Sequence, residues 1–578
     1  MPPFPAQSHS LPLRAAGDVM DPSRLGAHYP TRLSFMRVLT RKLIQDKWVI
    51  DRSHFHLGPD GNGEVHYTIT TPNDHFTFVA FIHALDDDER SDRVIAERWD
   101  LTATLCGGAV SAEHLQKLRE NVPLQEKGRL DSRSIVLTRA NKSSRNFEYV
   151  VAQLASGHQP SADALAQTGY LYRTTAVYGS SKFGMADWSF VRSRFPDFST
   201  PFAAEMFSCY LLRQVSFDIA EHLAHLRAPT TACSLSADVK RYLGIGNATG
   251  LGMAPFLICR PLLIHQWMAC RELALARVRA SGPATDRTRA RLISLLRRAR
   301  QHLNETVTGN EEQNAINATA ATNLGHIIDF LRHTDCHWDQ LIEESARWCL
   351  DSQEVVVACL IELFPRLVDD LTQSMTSDEH YDIRPEQSLR SLRDTLEHHY
   401  DWSLAIDFDD PASRRMFWYR SIEKMEPRLG DIQVDEGVDR QLHLDIALQV
   451  SELYDYVCEH LRRHPDERVA HFLIQFPMLR YIVRRVQTMA QTLYGEIREN
   501  MLSAKVAPTK LMRAKLSFFG ASKFDPKSRL WVRNTMFQGA PTVDDLTATP
   551  VGERAELGIN TTLDDWNFPL LPQHDATV

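Results

Sequence analysis

The chain has 578 residues, a formal net charge of −8 at pH 7, 43% hydrophobic residues and 24% charged residues. This balance is ordinary for a globular protein, and the negative charge argues against a general nucleic-acid-binding protein. The length allows about two to four ordinary domains or one large helical body. We see no continuous apolar stretch that predicts a signal peptide or a transmembrane helix.

The cysteines predict a compartment. The chain has nine of them, scattered, odd in number and without a C-x-x-C pair. Such spacing is typical of free thiols in a reducing compartment rather than of a disulfide framework. We therefore expect a soluble, cytoplasmic protein.

The N-terminal part of the chain predicts a small mixed domain. Residues 1–30 are rich in Pro, Ser and Ala and predict a disordered leader. A helix is expected over 33–48. Apolar and polar residues then alternate around the turn sequences GPDGNG and TPND, which predicts an antiparallel meander of three strands, with 95–105 as a candidate fourth. Residues 31–140 are thus expected to form an α+β domain.

The rest of the chain has mostly helical periodicity. Thr200 as N-cap and Pro201 in the first turn predict the start of a long, largely apolar helix that reaches about residue 227. Residues 141–502 are expected to form a helical domain, and residues 503–578 an extended C-terminal arm. The predicted fold class is mainly α, with a large helical body and a small N-terminal α+β domain.

A glycine-dense stretch, GIGNATGLG at residues 244–252, runs into the most apolar helix candidate of the chain. Glycines let the backbone approach a ligand closely, and a glycine-rich loop before a helix N-terminus binds anions through its N–H groups. The spacing G-x-G-x-x-x-G-x-G and the helical character of the preceding residues do not match a dinucleotide-binding fingerprint. The stretch is predicted to be either an anion-binding loop, with Gly246, Asn247 and Gly250 against the ligand, or a tight connection between helices.

The apolar run that follows, from Met253 to Ile264, is too short to span a bilayer and predicts a central core helix. Pro255 is expected in its first turn, and Pro261 is expected to kink or divide it. Arg260 is a charge within this run, so it must find a partner, reach solvent or face a cavity. His265 is the candidate general acid–base group, with a satisfied core histidine as the alternative.

A second stretch, YRTTAVYGSSKFGMAD at residues 172–187, places hydroxyl groups and cations around glycines. Hydroxyl, guanidinium and ammonium groups on a flexible loop suit a carboxylate or a phosphate. The stretch lacks the Gly-Lys-Ser/Thr of a P-loop, and it is one residue too long for a nucleophile elbow. The alternative is a surface turn between helices. The candidate ligand-binding residues are Arg173, Thr174, Thr175, Ser181 and Lys182.

One predicted helix face carries His326, Asp329, His333 and His337, which are residue types that bind zinc or iron. The apolar residues of the same helix centre on the opposite face, so the pattern predicts a solvated surface and no metal centre. An acidic–aromatic stretch over 394–410 and an arginine-rich helix over 287–300 are interpreted in the same way.

Together these patterns predict an enzyme that acts on a small anionic organic substrate, a carboxylate or a phosphate, bound between the two glycine-rich stretches. Arg173 and Lys182 would hold the anion, with Asn247 and Arg260 assisting and His265 as the catalytic group. The sequence identifies no cofactor or oligomeric state, and we expect no metal, nucleic-acid or membrane partner. The alternative is a non-catalytic ligand-sensing or protein-interaction module on a helical scaffold.

Overall fold

The computed structural model describes residues 12–83, 99–125, 129–178, 188–249, 260–375, 381–410, 417–421, 427–430, 441–443, 446–497, 508–528, 531–547 and 561–573. A long mixed β-sheet and a larger set of helices share one extensive hydrophobic core in these residues.

The strands form two sheets. In chain order they are β1 (Val49–Leu57), β2 (Gly63–Thr70), β3 (His75–Ile82), β4 (Leu101–Gly107), β5 (Ser134–Lys142), β6 (Tyr170–Tyr178), β7 (Gly244–Thr249), β8 (Phe417–Ser421), β9 (Pro427–Gly430), β10 (Gln441–His443), β11 (Lys523–Ser528) and β12 (Trp531–Met536). The nine-stranded sheet has the order β1-β2-β3-β4-β5-β6-β7-β12-β11, and the small sheet has the order β10-β8-β9. Within the large sheet β6 and β7 run parallel, whereas the other neighbouring strands are antiparallel.

The extent of the large sheet shows that the predicted fold class, mainly α with a small N-terminal α+β domain, is wrong. The predicted meander is present as β1 to β3, but β6 and β7 come from the predicted helical domain. β11 and β12 come from the predicted arm and complete the far edge. The sheet therefore crosses residues 140 and 502, while the domain boundaries proposed there stay a prediction.

Helices fill the connections between these strands and most of the chain after β7. They are Ala16–Val19, Pro22–Leu25, Phe35–Gln45, Ala112–Asn121, Phe147–Ala155, Ala162–Thr168, Trp188–Arg194, Ala203–Arg227, Ala237–Tyr242, Pro261–Arg279, Asp286–Glu305, Glu311–His333, Trp338–Ala346, Leu350–Leu363, Pro365–Val368, Leu389–His399, Asp401–Leu404, Ile446–Arg463, Val469–Gln475, Arg480–Met489, Pro508–Phe519, Val543–Thr547 and Thr561–Asp564. Short 3₁₀ helices span Pro196–Phe198, Asp369–Ser374 and Pro477–Leu479. Across the described ranges, no helix combines the length and apolar character needed to cross a bilayer.

The central helix, Ala203–Arg227, is the long apolar helix that the sequence predicts, and it ends where expected. It packs against β5, β6 and β7, and against the helices Phe35–Gln45 and Phe147–Ala155. Its N-cap is Phe202, which has a left-handed backbone with φ 59°, so Thr200 is not the cap. Because both the sheet and other helices cover it, the central helix is apolar on most sides.

The opposite face of the sheet is covered by a shorter helix, Ala112–Asn121. Leu118 of this helix and Val122, which follows it, form a separate apolar cluster with Val79 and Phe81 of β3. Both faces of β3 are therefore buried, which explains why seven of its eight residues are buried.

Part of the predicted leader is ordered. Residues 12–30 include the helices Ala16–Val19 and Pro22–Leu25, and they bury Arg14 and His28 against the main core. Residues 1–11 lie outside the described residues. Composition suggested disorder because the segment has few large apolar residues, but buried ion pairs hold it in place.

A second apolar core joins helices of the C-terminal half. Apolar residues recur at helical spacing over 446–461 and over 479–493, which predicts that these two segments pair as helices, and Ile446–Arg463 does pack against Arg480–Met489. Val450, Leu453 and Val486 are fully buried there. The second helix ends at Met489, earlier than expected.

Candidate functional site

The structure brings the described parts of the two glycine-rich stretches together as neighbouring strands, and residues 179–187 and 250–252 lie outside the described residues. β6 contains Arg173 and Thr174, and β7 contains Gly246 and Asn247. In the parallel pair, Arg173 is aligned with Gly246 and Thr174 with Asn247. Four of the predicted binding residues therefore lie side by side in the middle of the sheet.

The glycines of β7 serve the packing of the sheet. A Cβ atom at Gly246 would lie 2.6 Å from ring atoms of Tyr170, and one at Gly244 would lie 2.2 Å from the carbonyl oxygen of Met536. Contacts this short do not occur between real atoms, so only glycine allows the neighbouring strands to approach. The helix Ala237–Tyr242 precedes β7, as the sequence indicates.

The β6 residues are also used within the sheet. Thr174 is fully buried, and its hydroxyl group donates a hydrogen bond to the carbonyl oxygen of Arg139 at 2.9 Å. Arg173 is buried. Thr175 lies on β6, but its side chain, together with all of Ser181, Lys182 and Gly250, lies outside the described residues. Their predicted roles in binding an anion stay predictions.

The apolar helix after β7 begins at Pro261 and runs to Arg279, so we name it the Pro261 helix. Pro261 occupies the first helical position, where its missing N–H group leaves no hydrogen bond unmade, and Arg260 is the N-cap. Pro261 therefore starts this helix, and the predicted kink or division of the apolar run stays a prediction because most of the run before Pro261 lies outside the described residues. Pro255 lies outside the described residues. Leu263 and Trp267 share a buried face, as expected for residues four apart.

Arg260 faces a cavity, which is one of the three environments that the sequence allows for it. The cavity has a volume of only about 10 Å³, room for about one water molecule, so a larger ligand could enter only if the surrounding side chains moved. Its walls are mostly aromatic and its polar groups are cationic. The lining residues are Phe35, Phe202, Arg260, Leu263, Ile264, Trp267, Lys515, Phe518 and Phe519.

Lys515 is the second cation of this cavity. It comes from the helix Pro508–Phe519, which we name the lysine helix and which lies in the predicted arm. Only 2% of Lys515 is exposed, and its Nζ atom lies 5.3 Å from the centre of the Phe519 ring, one turn later. Leu511 and Met512, on the same helix, are fully buried in the main core. The core contacts of the lysine helix thus hold Lys515 at the cavity.

The cavity favours the neutral form of Lys515. Burial lowers the pKa of the Lys515 ammonium group well below its usual value, and the charge of Arg260 lowers it further. Arg260 is half-buried at the positive end of the helix dipole, where an anion is stabilised. The surroundings therefore weaken the proton binding of the Lys515 amine, while the guanidinium group of Arg260 attracts anions.

His265 lies in the second turn of the Pro261 helix, closer to its start than expected because the helix begins at Pro261. Its Nδ1 atom accepts a hydrogen bond from the backbone N–H of Tyr494 at 3.2 Å. Burial lowers the pKa of His265 to about 4, so its ring is neutral at pH 7. It does not line the cavity. The catalytic role predicted for His265 stays a prediction, and we give it no part in the chemistry below.

The predicted histidine face serves ordinary surface contacts. The ring of His326 stacks on Trp348 at 4.7 Å, Asp329 accepts a hydrogen bond from Arg332 at 2.7 Å, and His337 caps the helix Trp338–Ala346. Among the described residues, no group of three or more His, Cys, Asp or Glu side chains is arranged to hold a metal ion.

Sequence reasoning missed Lys515, although a signal was present. Leu511, Lys515 and Phe519 are spaced four apart, so a helix places all three on one face. A lysine between two large apolar residues on a core-facing stripe predicts a buried amine. The weak overall periodicity of residues 503–578 hid this short pattern.

We compared the chain with known proteins. No protein-family model, curated protein or solved structure matches it. The functional argument therefore depends on the cavity of Arg260 and Lys515.

Proposed function

We propose that the protein is an enzyme that acts on a small anionic organic substrate, a carboxylate or a phosphate, bound at Arg260. The observation that supports this most is the position of Arg260, a half-buried cation that caps the Pro261 helix at the positive end of its dipole. The guanidinium group and the helix dipole both attract an anion at this point.

This proposal moves the substrate from the place that the sequence indicates. The ring of Tyr170 packs against the backbone of Gly246, and the hydroxyl group of Thr174 donates a hydrogen bond to the carbonyl oxygen of Arg139. β6 and β7 therefore offer less room for a ligand than two loops would. Arg260 is the predicted binding residue that faces the cavity. The substrate class is unchanged, because it depends on cations in both cases.

The test is the binding of small anions to the wild-type protein and to an Arg260→Gln variant. We expect calorimetry with acetate, pyruvate and inorganic phosphate to detect at least one ligand, which also raises the melting temperature. Arg260→Gln should weaken that ligand by about 1.5–3 kcal/mol, the range for a hydrogen bond to a charged group, or roughly 10- to 150-fold in Kd.

Arg277→Gln is the matched control. Arg277 lies at the other end of the Pro261 helix, where it bonds to Asp370 at 2.8 Å. The Arg277→Gln variant should leave anion binding unchanged. The proposal fails if none of the anions binds, or if both variants bind them as the wild type does. Any ligand that binds should then be incubated with the protein and followed by NMR, because an enzyme converts it and a sensor does not.

One observation favours the alternative, a protein-interaction module. Ile474, Met478 and Tyr481 are large apolar residues close in sequence, with 72%, 64% and 48% of their surfaces exposed. Exposed apolar groups of this kind are typical of interaction surfaces. They lie around the second core and none of them lines the cavity, so the two functions are compatible.

We also propose that the protein is cytoplasmic. Eight of its nine cysteines are described, and all eight are free thiols. Free thiols are typical of a reducing compartment. Thiol titration of the denatured protein without reductant should count nine, and a stable intramolecular disulfide would contradict this location.

A further inference from the structure

An open groove lies at the β1 edge of the large sheet, and we name it the histidine groove. Its volume is about 580 Å³, whereas the cavity beside Arg260 has room for about one water molecule. Small-molecule sites have volumes of about 300–1,000 Å³, so the histidine groove is large enough for an organic ligand. The residues that line it include His54, His56, Glu64, Phe81, His83 and Arg119.

We propose that the histidine groove is a second ligand site, which binds a small organic acid and takes up protons on its imidazole rings as it does so. The acid has a carboxylate group and an apolar body. This site is separate from the one at Arg260, because Arg260 does not line the groove. The two proposals can therefore fail independently.

The strand register places imidazole rings on one face of the sheet edge. His54 on β1 is aligned with His66 on β2, and His56 is aligned with Glu64. Alternate residues of a strand point to the same face, so these four side chains share one face. The ring centres of His54 and His66 lie 4.8 Å apart. Among the described strands β1 is the last at this edge, so the groove stays open on that side.

The apolar part of the groove comes from β3 and from the segment around the helix Ala112–Asn121. Phe81 on β3 is aligned with Glu64 and is only 5% exposed. It belongs to the apolar cluster that this helix covers, and Pro123, which follows the helix, also lines the groove. An apolar wall suits the carbon skeleton of an organic acid, which an inorganic anion lacks.

Glu64 is the one carboxylate among the described residues that line the groove, and its charge is already compensated. It accepts hydrogen bonds from Nε and Nη2 of Arg119, at 2.7 Å and 3.2 Å, and its Oε1 atom lies 2.5 Å from Nε2 of His66. Burial alone would raise the pKa of Glu64, but the hydrogen bonds with Arg119 and His66 outweigh it and lower the pKa. The net charge of the lining is therefore set by its imidazole rings.

Two of the imidazole rings are held in the neutral form. Burial lowers the pKa of His83, although the charge of Asp100 opposes this change, and burial lowers the pKa of His66, although Glu64 opposes it. The Nε2 atom of His83 is buried and has no hydrogen-bond partner among the described residues. A buried polar atom without a partner is costly, and a ligand atom that bonds to it would remove that cost.

An anion in the groove would couple to these rings. A nearby negative charge stabilises the protonated form of an imidazole and raises its pKa. Binding therefore takes up protons, and by the same linkage it becomes tighter as pH falls. The charged and titratable groups that face these rings also enter this balance. They are Glu64, Arg119 and His54 around His66, and Asp100 beside His83.

The test is the binding of benzoate to the full-length protein at pH 8 and at pH 5.5, measured by ligand-observed NMR with EDTA present to remove metal ions. Benzoate stays ionised over this range, because carboxyl groups titrate at about pH 4. We expect Kd to fall by at least about threefold from pH 8 to pH 5.5, the effect of raising the pKa of one imidazole by about one unit. Benzamide has the same ring without the charge, so its binding should not change with pH.

Histidine variants assign the pH dependence to the groove. The triple variant His54→Gln/His56→Gln/His83→Gln should bind benzoate equally at both pH values, because glutamine forms hydrogen bonds but takes up no proton. The double variant His54→Gln/His56→Gln changes only exposed residues, so it protects the test against a loss of folding, and it should already reduce the gain at pH 5.5. His471→Gln is the control, because His471 is 65% exposed and pairs with Glu467 outside the groove. It should keep the full gain.

An arginine pair tests the balance of charge at Glu64. Arg119→Gln should weaken benzoate about three- to fivefold at both pH values, as the loss of one surface charge does, because it leaves the Glu64 carboxylate less compensated. Arg133→Gln is closely matched. Arg133 is 50% exposed and lies 2.7 Å from Asp131, whereas Arg119 is 47% exposed and lies 2.7 Å from Glu64. Arg133 does not line the groove, so its variant should bind benzoate as the wild type does.

Each contrary result overturns the inference. These results are an absence of benzoate binding, a Kd that does not change with pH, an equal change for benzamide, and a gain at pH 5.5 that persists in the folded triple variant. Equal effects of Arg119→Gln and Arg133→Gln also overturn it. Benzoate binding that is lost in Arg260→Gln but kept in the histidine variants would place the acid at Arg260, which supports the proposed function and overturns the groove.

Discussion

The protein places basic side chains in two contrasting environments on the two sides of Trp267. On one side the cations are paired with carboxylates. Glu354 accepts hydrogen bonds from Arg14 and Arg24, each at 2.8 Å, and from Arg271, and the side chain of Glu354 is fully buried. Trp267 also borders the cavity on the other side, where the cations are Arg260 and Lys515.

The same helix contributes to both regions. Arg260 caps the Pro261 helix, and Arg271 and Glu272 follow in its later turns. Arg14 bonds to both Glu272 and Glu354, so the paired region fixes the N-terminal segment onto the core. The paired region joins the N-terminal segment to the core through carboxylates, whereas the cavity residues Arg260 and Lys515 are bordered mainly by aromatic rings. This difference, more than burial itself, separates a structural cluster from a candidate site.

The largest expected effect comes from breaking the paired region. Burial alone would raise the pKa of Glu354, but the charges of Arg14 and Arg271 outweigh it and hold the pKa well below its usual value. Glu354→Gln leaves these buried arginines without that carboxylate. We expect it to lower the free energy of unfolding by about 3–5 kcal/mol, the range for removing one partner of a buried pair. Urea unfolding at pH 7 measures this change.

An exposed ion pair gives the control. Glu344 accepts a hydrogen bond from Arg347 at 2.6 Å, but Arg347 is 75% exposed. Glu344→Gln should therefore change the free energy of unfolding by less than about 1 kcal/mol. If the two glutamine variants lose similar stability, the Glu354 network does not hold the N-terminal segment as described, and the contrast with the cavity loses its basis.

The sequence predicts a helix or strand correctly where the pattern of buried residues lies within that single element. The central helix Ala203–Arg227 and the meander β1 to β3 both show a periodicity that a few neighbouring residues make visible. The stripes of Ile446–Arg463 and Arg480–Met489 also predict their own pairing. Local periodicity reports which face of an element is buried, so elements with a single clear face are predictable.

The sequence is insufficient where distant segments decide the structure. β7 contains Gly244 and Gly246, which carry no side chains to show alternation, and their need for glycine comes from Met536 and Tyr170 on neighbouring strands. Lys515 is similar, because its environment is built by Arg260, more than 250 residues earlier. The sequence shows Arg260 as a charge within an apolar run. The cavity and its second basic residue, Lys515, become visible only in the folded structure.

A second expected effect is a pH dependence that distinguishes the cavity from the paired region. The folded-state pKa of Lys515 lies below the value of about 10.5 that an unfolded chain has. Between these two values the unfolded chain binds more protons than the folded chain, so the free energy of unfolding increases with pH. Below the folded-state pKa both states are protonated, and the dependence disappears. The stabilisation from Lys515 is thus gained as pH rises towards 10.5, and the cost of burying the ammonium group is greatest at low pH.

Urea unfolding of the wild type and of Lys515→Met, measured from pH 7 to pH 10, tests this sign. Other groups titrate in both proteins, so the difference between the two free energies isolates Lys515. That difference should increase in favour of the wild type by at most about 1.4 kcal/mol per pH unit. Lys117→Met is the control, because Lys117 is 63% exposed and pairs only with Glu113 among its described contacts. A difference that stays flat for Lys515→Met, as for Lys117→Met, would mean that the buried amine keeps an ordinary pKa. Lys515 would then be an ammonium group at neutral pH, and the cavity would be bordered by two positive charges.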